Sequence, residues 1–138
     1  MGTLIQRTTT EINHRADLQV PVQAILTPLA ALSAAKVGLQ GGPDFDHLSF
    51  QAEGVPAIDL TVGDGDYAIH HHAATDTVDK IDPRMLSLDT AVMALAAYEF
   101  ANAKEAPGRR LSSEDVHRYL HETGLADGFA ILYGPGKP

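Results

Sequence analysis

The sequence predicts a single domain of the α/β class, because helix-like and strand-like stretches alternate along its 138 residues. Two stretches carry this prediction. Residues 55–62 are rich in aliphatic and β-branched side chains and lie between glycines, as strands do. The residues that follow Asp82-Pro83 repeat apolar side chains at helical spacing until about Ala103. The sequence therefore predicts strands that alternate with helices along the chain.

Composition excludes several classes of function. With 44% hydrophobic and 20% charged residues the chain is globular rather than disordered. A net charge of -8 disfavours partners that present phosphates, so we expect no nucleic-acid partner. No apolar run reaches the roughly 18 to 20 residues that cross a bilayer, so we expect no membrane partner. The absence of cysteine rules out disulfides, thiolate metal ligands and a cysteine nucleophile.

The first third of the chain is polar and then helical. Residues 1–16 are threonine-rich and predict either an edge strand or a frayed end. Apolar residues then recur at three- and four-residue spacings from Asp17 to Val37, which predicts a helix that Pro28 interrupts. Thr27 and Pro28 either open a new helix, with Thr27 as its cap, or Pro28 kinks a longer one. Gly38 is expected to end this helical region.

A turn, a short helix and a strand follow. Residues 41–44 have turn chemistry, and residues 46–53 form a short amphipathic run that Gly54 ends. The strand candidate comes next, with Pro56 tolerated near its start. A loop at residues 63–66 then leads to the histidines.

The long helix has a strong start signal, since Asp82 can accept hydrogen bonds from free amides and Pro83 is preset for a first helical turn. Its apolar residues form two stripes, so we expect it to be buried on more than one side. These residues are Met85, Leu88, Val92 and Leu95 in one stripe and Leu86, Met93, Ala97 and Phe100 in the other.

The last 30 or so residues predict a further helix. Ser112 with Asp115 three residues later is a capping-box pattern, and Gly124 is a stop signal. Residues 129–133 form a final apolar patch.

Three consecutive histidines, His70 to His72, are the main chemical feature. Histidine is both the commonest metal ligand and the usual general base near neutral pH. At most one or two neighbouring side chains in an extended loop can face one site, and the alternative is a solvated or capping cluster. Asp76 and Thr77 either orient an imidazole or cap a turn, and spacing alone does not choose between these roles.

The order of short motifs over residues 41–103 resembles the C-terminal part of the di-zinc exopeptidases of metallopeptidase family twenty-eight. This family contains the bacterial leucyl-type aminopeptidases and carboxypeptidase Q. The motifs are Asp46-His47 followed by Phe50, the run Gly54-Val55-Pro56-Ala57, His72 with Asp76-Thr77, and Asp79-Lys80-Ile81-Asp82 before an apolar helix.

The resemblance implies an architecture. The chain is expected to form the C-terminal portion of a three-layer α/β/α fold, with a mixed sheet flanked by helices. Residues 1–106 are then part of the catalytic domain, and residues 107–138 are a C-terminal helical extension.

The resemblance also implies site roles. In the family, the zinc-ligating histidine lies four residues before the Asp-Thr pair, and this position is His72 here. The resemblance gives His70 and His71 no ligand role. Asp46, Asp76 and Thr77 are expected to support the site or the local structure. Some aminopeptidases have a tyrosine where this chain has Gly42. This difference favours the carboxypeptidase Q side of the family.

The remaining groups that such a site needs have no counterpart in this sequence. The family shares five ligands between two zinc ions and uses a glutamate as general base. Residues 1–40 contain Glu11 and His14 but no arrangement that resembles the missing ligands, and no HExxH motif replaces them. We therefore expect two zinc ions in a longer parent enzyme, none held stably by this chain alone, and no catalytic residue here.

The expected function is part of a zinc-dependent aminopeptidase or dipeptidase that acts on peptides through a metal-activated water, with this chain inactive by itself. One alternative is a non-catalytic interaction module that retains the fold. Another is a small metal-binding protein that uses the histidine cluster across an oligomer interface. A homo-oligomer is expected if the chain is a truncated piece of such an enzyme, because a partial sheet exposes a strand edge and an apolar helix face. Family relatives are often exported, and the sequence leaves the compartment open.

Overall fold

A computed structural model describes residues 9–41, 46–61 and 67–134, with the backbone alone at 67–68 and 132–133. The α/β prediction is confirmed, since a three-stranded mixed sheet is flanked by helices. The strands are β1 (Thr9–Glu11), β2 (Lys36–Gly38) and β3 (Asp59–Thr61). The helices are α1 (Gln19–Ile25), α2 (Leu48–Ala52), α3 (Tyr67–His70), α4 (Pro83–Asn102), α5 (Ser113–Glu122) and α6 (Ala126–Tyr133), with 3-10 helices at Ala16–Leu18, Thr27–Leu32 and Val78–Lys80. Within the described ranges no helix is long and apolar enough to cross a bilayer.

Strand β1 is the centre of the sheet, so the prediction of an edge strand or frayed end is wrong for residues 9–16, while residues 1–8 lie outside the described residues. The order is β2-β1-β3, with β1 parallel to β2 and antiparallel to β3. Thr10 pairs with Val37 on one side and with Leu60 on the other, and its side chain is completely buried. Threonine is β-branched and fits a pleated sheet, so its polarity gave a misleading signal of exposure.

The region from Asp17 to Val37 divides where Pro28 lies. Proline lacks an N–H for the helical ladder, and a separate 3-10 helix runs from Thr27 to Leu32. Thr27 is not its cap, because the Thr27 hydroxyl donates to the carbonyl of Gln23 at 3.0 Å. Gly38 does not end a helix as predicted, since it pairs with Glu11 in the sheet.

Strand β3 is shorter than the predicted run. Only Asp59–Thr61 pairs with β1, and Val55 instead donates its N–H to the carbonyl of Phe50 at 2.9 Å. Residues 55–58 are thus held against the end of α2 rather than in the sheet. The predicted loop at 63–66, Val62 and Gly42 lie outside the described residues.

The main core lies between the sheet and the helices that cover it. Leu29 is completely buried there, and α4 packs against the 3-10 helix that carries it. The buried members of this core are Ile12, Leu18, Val22, Leu26, Leu29, Ala34, Val92 and Ala96.

Helix α4 begins as predicted but is buried on one side only. Asp82 accepts a hydrogen bond from the N–H of Arg84 at 2.8 Å, which confirms the cap. Val92 and Ala96 face the core. Leu86 and Met93 are 53% and 56% exposed, so the prediction of burial on more than one side is wrong for the described part of the chain.

The C-terminal helices form a second, smaller core with α2. The capping role of Ser112 is confirmed, because its hydroxyl accepts from the N–H of Asp115 at 3.1 Å. The apolar patch at 129–133 lies in α6, and Phe129 is 3% exposed. The buried residues of this second core are Leu48, Val116, Leu120 and Phe129. These contacts cross residue 106, where the sequence predicts a domain boundary.

A close backbone approach joins the segment after α2 to the segment before α5. Leu111 donates its N–H to the carbonyl of Gly54 at 2.9 Å. Gly54 has φ +77°, and a Cβ there would lie 2.4 Å from the carbonyl oxygen of Leu111. Only glycine therefore fits, and Arg110 adds a hydrogen bond to the carbonyl of Glu53 at 2.6 Å.

We predict that Leu29→Ala lowers the free energy of unfolding by about 2–5 kcal/mol, because it leaves a cavity in the main core. The matched control is Val20→Ala, since Val20 is 79% exposed and truncation there should cost no more than about 0.5 kcal/mol. Urea denaturation of the unchanged chain and of the two variants measures both differences in the free energy of unfolding. Equal midpoints for the two variants would contradict this position of the core.

Candidate functional site

The histidine cluster lies at the end of a short helix rather than wholly in a loop. His70 is the last residue of α3, and the N–H of Ala73 donates to its carbonyl at 2.9 Å to close the following turn. His72 lies in this turn with φ +56°, a left-handed conformation that few residues other than glycine adopt. The reversal exposes the His71 and His72 side chains to solvent.

The rings of His71 and His72 lie side by side. Their centroids are 3.8 Å apart and the ring planes are tilted by 44°. The third ring is held within the turn, because Nδ1 of His70 is 3.0 Å from the hydroxyl of Thr75. Two of the three imidazoles therefore share one exposed surface, within the limit that the sequence predicts.

Thr77 has a structural role in its turn. It precedes the 3-10 helix Val78–Lys80, and its hydroxyl donates to the carboxylate of Asp79 at 2.5 Å. The hydrogen bond from Lys80, with a smaller contribution from that of Thr77, holds the pKa of Asp79 below its ordinary value. The Thr77 side chain makes no capping hydrogen bond to this 3-10 helix, and its hydroxyl instead holds the Asp79 carboxylate within the turn.

Asp76 and Asp46 are both exposed. Asp76 donates its N–H to the carbonyl of Ala73 at 3.0 Å, which continues the turn that carries His72. Across residues 9–41, 46–61 and 67–134 no three histidine or carboxylate groups lie together as a metal site. The ligand role of His72 and the supporting roles of Asp46, Asp76 and Thr77 thus stay predictions.

A buried polar network next to Asp46 was not predicted. Nδ1 of His47 lies 2.9 Å from Oδ1 of Asp59, and the two side chains are only 18% and 14% exposed. The other carboxylate oxygen of Asp59 accepts from Nδ2 of Asn13 at 2.9 Å. The same Asn13 amide reaches the carbonyl of Ala57 at 3.3 Å.

Asn13 lies where the chain turns away from the end of β1. It is completely buried and has φ +49°, and His14 after it has φ +60°. Asparagine tolerates this left-handed conformation better than most residues. Gly41 packs against the turn so closely that a Cβ would lie 2.6 Å from the Asn13 Cα atom. Glycine is therefore required at position 41, whereas residues 42–44 of the predicted turn lie outside the described residues.

The network extends into the C-terminal helices through Tyr119. Its hydroxyl donates to the carbonyl of Asn13 at 2.6 Å, and Nε2 of Gln51 is 3.5 Å from the same hydroxyl. Burial raises the pKa of Tyr119 to about 12, with the charge of Arg15 opposing the shift. The phenol thus stays a hydrogen-bond donor over the whole neutral range.

The chemical consequence concerns the ring of His47. A carboxylate that accepts from Nδ1 fixes the ring orientation and the tautomer, so that Nε2 carries the lone pair. That Nε2 atom is shielded from solvent. His47 is thus an oriented, enclosed imidazole, whereas His72 is an exposed one. Sequence reasoning missed this network because its members meet only through tertiary contacts: the pairing of Glu11 with Asp59 brings Asn13 and Asp59 together, and His47 joins them from the start of α2.

Comparison with known proteins gives one match. A family model described as Peptidase family M28 matches residues 4–99, well over half of the 138-residue chain. No curated protein and no solved structure matches the chain. The matched range includes the histidine cluster and the Asn13–Asp59–His47 network, and it ends before α5.

We predict that Tyr119→Phe lowers the free energy of unfolding by about 1–3 kcal/mol, because a buried carbonyl loses its donor. Tyr98→Phe is the matched control, since Tyr98 is 62% exposed and its change should cost no more than about 0.5 kcal/mol. Chemical denaturation measures both. Equal stability of the two variants would show that the Tyr119 hydroxyl does not support the Asn13 turn.

The same residue predicts an alkaline limit to stability. The pKa of Tyr119 rises from its ordinary 10.0 to about 12 on folding, so the unfolded chain releases the phenol proton first. The stability contribution is complete below pH 10 and is lost as the pH rises toward 12. Thermal melts across this range should show a shallower decline for Tyr119→Phe than for the unchanged chain. Parallel declines would contradict the burial of this phenol.

Proposed function

The chain belongs to Peptidase family M28, and on this premise we propose that it forms part of a zinc-dependent exopeptidase that removes terminal residues from peptides. The observation that carries the proposal is the family match over residues 4–99. The exposed imidazole of His72, at the position where the resemblance implies a metal ligand, supports it. The choice between aminopeptidase and dipeptidase activity is left to the substrate test below.

The donor groups of this chain fit such a site only in part. His72 offers one imidazole, and a hydrolytic zinc ion takes about three protein ligands and an open position. The ranges that the structure does not describe add Asp44, Asp64 and Asp66 but no histidine, cysteine or glutamate. We therefore propose that the other ligands and the general base come from a different polypeptide segment, and that this chain alone is inactive.

Each local residue then has a limited task. Zinc, when bound, would lower the pKa of a water molecule so that it becomes a nucleophile for a peptide carbonyl near neutral pH. His72 holds its imidazole in solvent, where groups from another segment can reach the same ion. Asp59 and Asn13 hold His47 in place, and this arrangement stiffens the segment that carries Asp46, the residue proposed to support the site.

We predict that His72→Ala lowers exopeptidase turnover of the native gene product by more than about 100-fold. Even outer partners of a zinc ligand are worth roughly 10- to 100-fold, and loss of a ligand costs more. Release of p-nitroaniline from aminoacyl-p-nitroanilides tests aminopeptidase activity, and cleavage of unblocked dipeptides tests dipeptidase activity. Zinc content, measured by atomic absorption, should fall in the same variant.

The matched control is His71→Ala, which removes the neighbouring exposed ring without a predicted ligand. Its turnover should stay within about threefold of the unchanged enzyme, less than the effect of an outer ligand partner. Loss of turnover in the His71 variant alone would move the ligand assignment from His72 to His71. Turnover by the isolated 138-residue chain would sink the proposal that the site needs another segment.

A second candidate function, a non-catalytic interaction module, is favoured by one observation. The outward face of α4 presents Leu86 and Met93, two turns apart, and each is more than half exposed. Exposed apolar side chains on a single face are typical of surfaces that bind other proteins. Turnover that depends on His72 would exclude this second function.

We predict that the isolated chain forms a homo-oligomer through this α4 face and that Met93→Glu weakens it. A charge placed in an apolar interface should raise the dissociation constant at least about tenfold. Ser87→Glu is the matched control, because residue 87 lies roughly 100° around the helix from Leu86. Sedimentation equilibrium over a wide concentration range decides. A monomer throughout, or equal weakening by both changes, would contradict the prediction.

A further inference from the structure

A second pair of histidines lies on α5, separate from the cluster at 70–72. His117 and His121 are four residues apart, and both side chains are exposed. Their ring centroids are 4.5 Å apart with a tilt of 48°. Residues at this spacing lie one turn apart on the same face of a helix. The two imidazoles therefore share one surface of α5.

The helix that carries them is well anchored. Ser112 caps its start, and Val116 and Leu120 on its other side are each 1% exposed in the second core. A helix held in this way keeps the spacing of its exposed side chains. Two histidines at positions i and i+4 of a helix are a known arrangement for holding one metal ion.

We propose that His117 and His121 bind one divalent transition-metal ion of the borderline class, such as zinc, nickel or copper, through both imidazoles. Imidazole nitrogen suits these ions. The local charge is also favourable, because Glu114 lies one turn before His117 and Glu122 is next to His121. The nearby cation Arg118 is paired with Asp115, which it shares with Arg109.

Two protein ligands leave the ion partly open. No third histidine or carboxylate completes a cluster among the described residues, so water or a small ligand takes the other positions. His117 also lines an open cavity of about 560 Å³ between α2 and α5, which gives such a ligand access. The site is therefore exchangeable rather than structural, and acid weakens it because protons compete for the imidazole nitrogens.

The site is independent of the proposed exopeptidase function. It lies beyond residue 99, where the family match ends, and it uses none of the residues assigned to the zinc pair. If the His72 prediction fails, the His117–His121 site is unaffected. If the His117–His121 site fails, the exopeptidase proposal is unaffected.

The test uses the 138-residue chain with His70, His71 and His72 all changed to alanine, so that the first cluster cannot bind the probe. Titration with nickel(II) at neutral pH, followed by calorimetry and by the imidazole resonances in NMR spectra, should show one ion per chain. His121→Ala in this background should weaken binding roughly 100-fold, because the second donor acts intramolecularly. Far-UV circular dichroism checks that α5 is retained.

A spacing variant provides the matched control. His121→Ala combined with Glu122→His keeps two imidazoles on α5 but separates them by roughly 140° around the helix. It should bind nickel no better than His121→Ala alone, whereas Glu122→Gln, which removes one exposed charge and keeps both imidazoles, should weaken binding by no more than about fivefold. Equal binding by the spacing variant and the background chain would overturn the proposal, as would full binding after His121→Ala.

Discussion

The buried left-handed turn at Asn13 is the constraint on which the rest of the structure depends. Buried polar groups are usually paired, and Asn13 finds partners for three of its groups in three different parts of the chain, while its Oδ1 atom has no hydrogen-bond partner among the described residues. Its N–H donates to the carbonyl of Gln40 at 2.9 Å, its amide reaches Asp59, and its carbonyl accepts from Tyr119. Each partner left unpaired would cost about 1–3 kcal/mol, so the turn fixes the segment after β2, the start of β3 and the seat of α5 together.

This constraint makes the C-terminal helices part of the packing of the M28 segment. The family match ends at residue 99, yet Tyr119 completes a network whose other members lie within the match. Arg110 serves the same docking, because it binds the Glu53 carboxylate at 2.8 Å, whereas its neighbour Arg109 binds Asp115 at 3.1 Å within the C-terminal part. The predicted boundary at residue 106 marks where the resemblance ends, while side-chain contacts continue across it.

Local signals in the sequence predicted local structure well. The caps at Asp82 and Ser112 need only neighbouring backbone groups, and both were confirmed. The central position of β1 could not be read from the sequence, since it depends on pairing with strands about 25 and 50 residues away and its threonines look polar. The His47–Asp59 pair could not be read from the sequence either, since it depends on a tertiary contact between the start of α2 and β3. His72 was singled out by its family spacing and not by local geometry.

The two kinds of histidine explain how one chain can carry part of a shared site. His47 is enclosed and held by Asp59, so its position is settled within this chain. His72 is exposed and lies in a left-handed turn, a conformation that costs energy and persists when the surrounding turn requires it. A ligand that must meet groups from another segment has to be presented to solvent, whereas a residue that stiffens the scaffold is better buried. The exposure of His72 therefore supports the proposal of a metal site shared between segments.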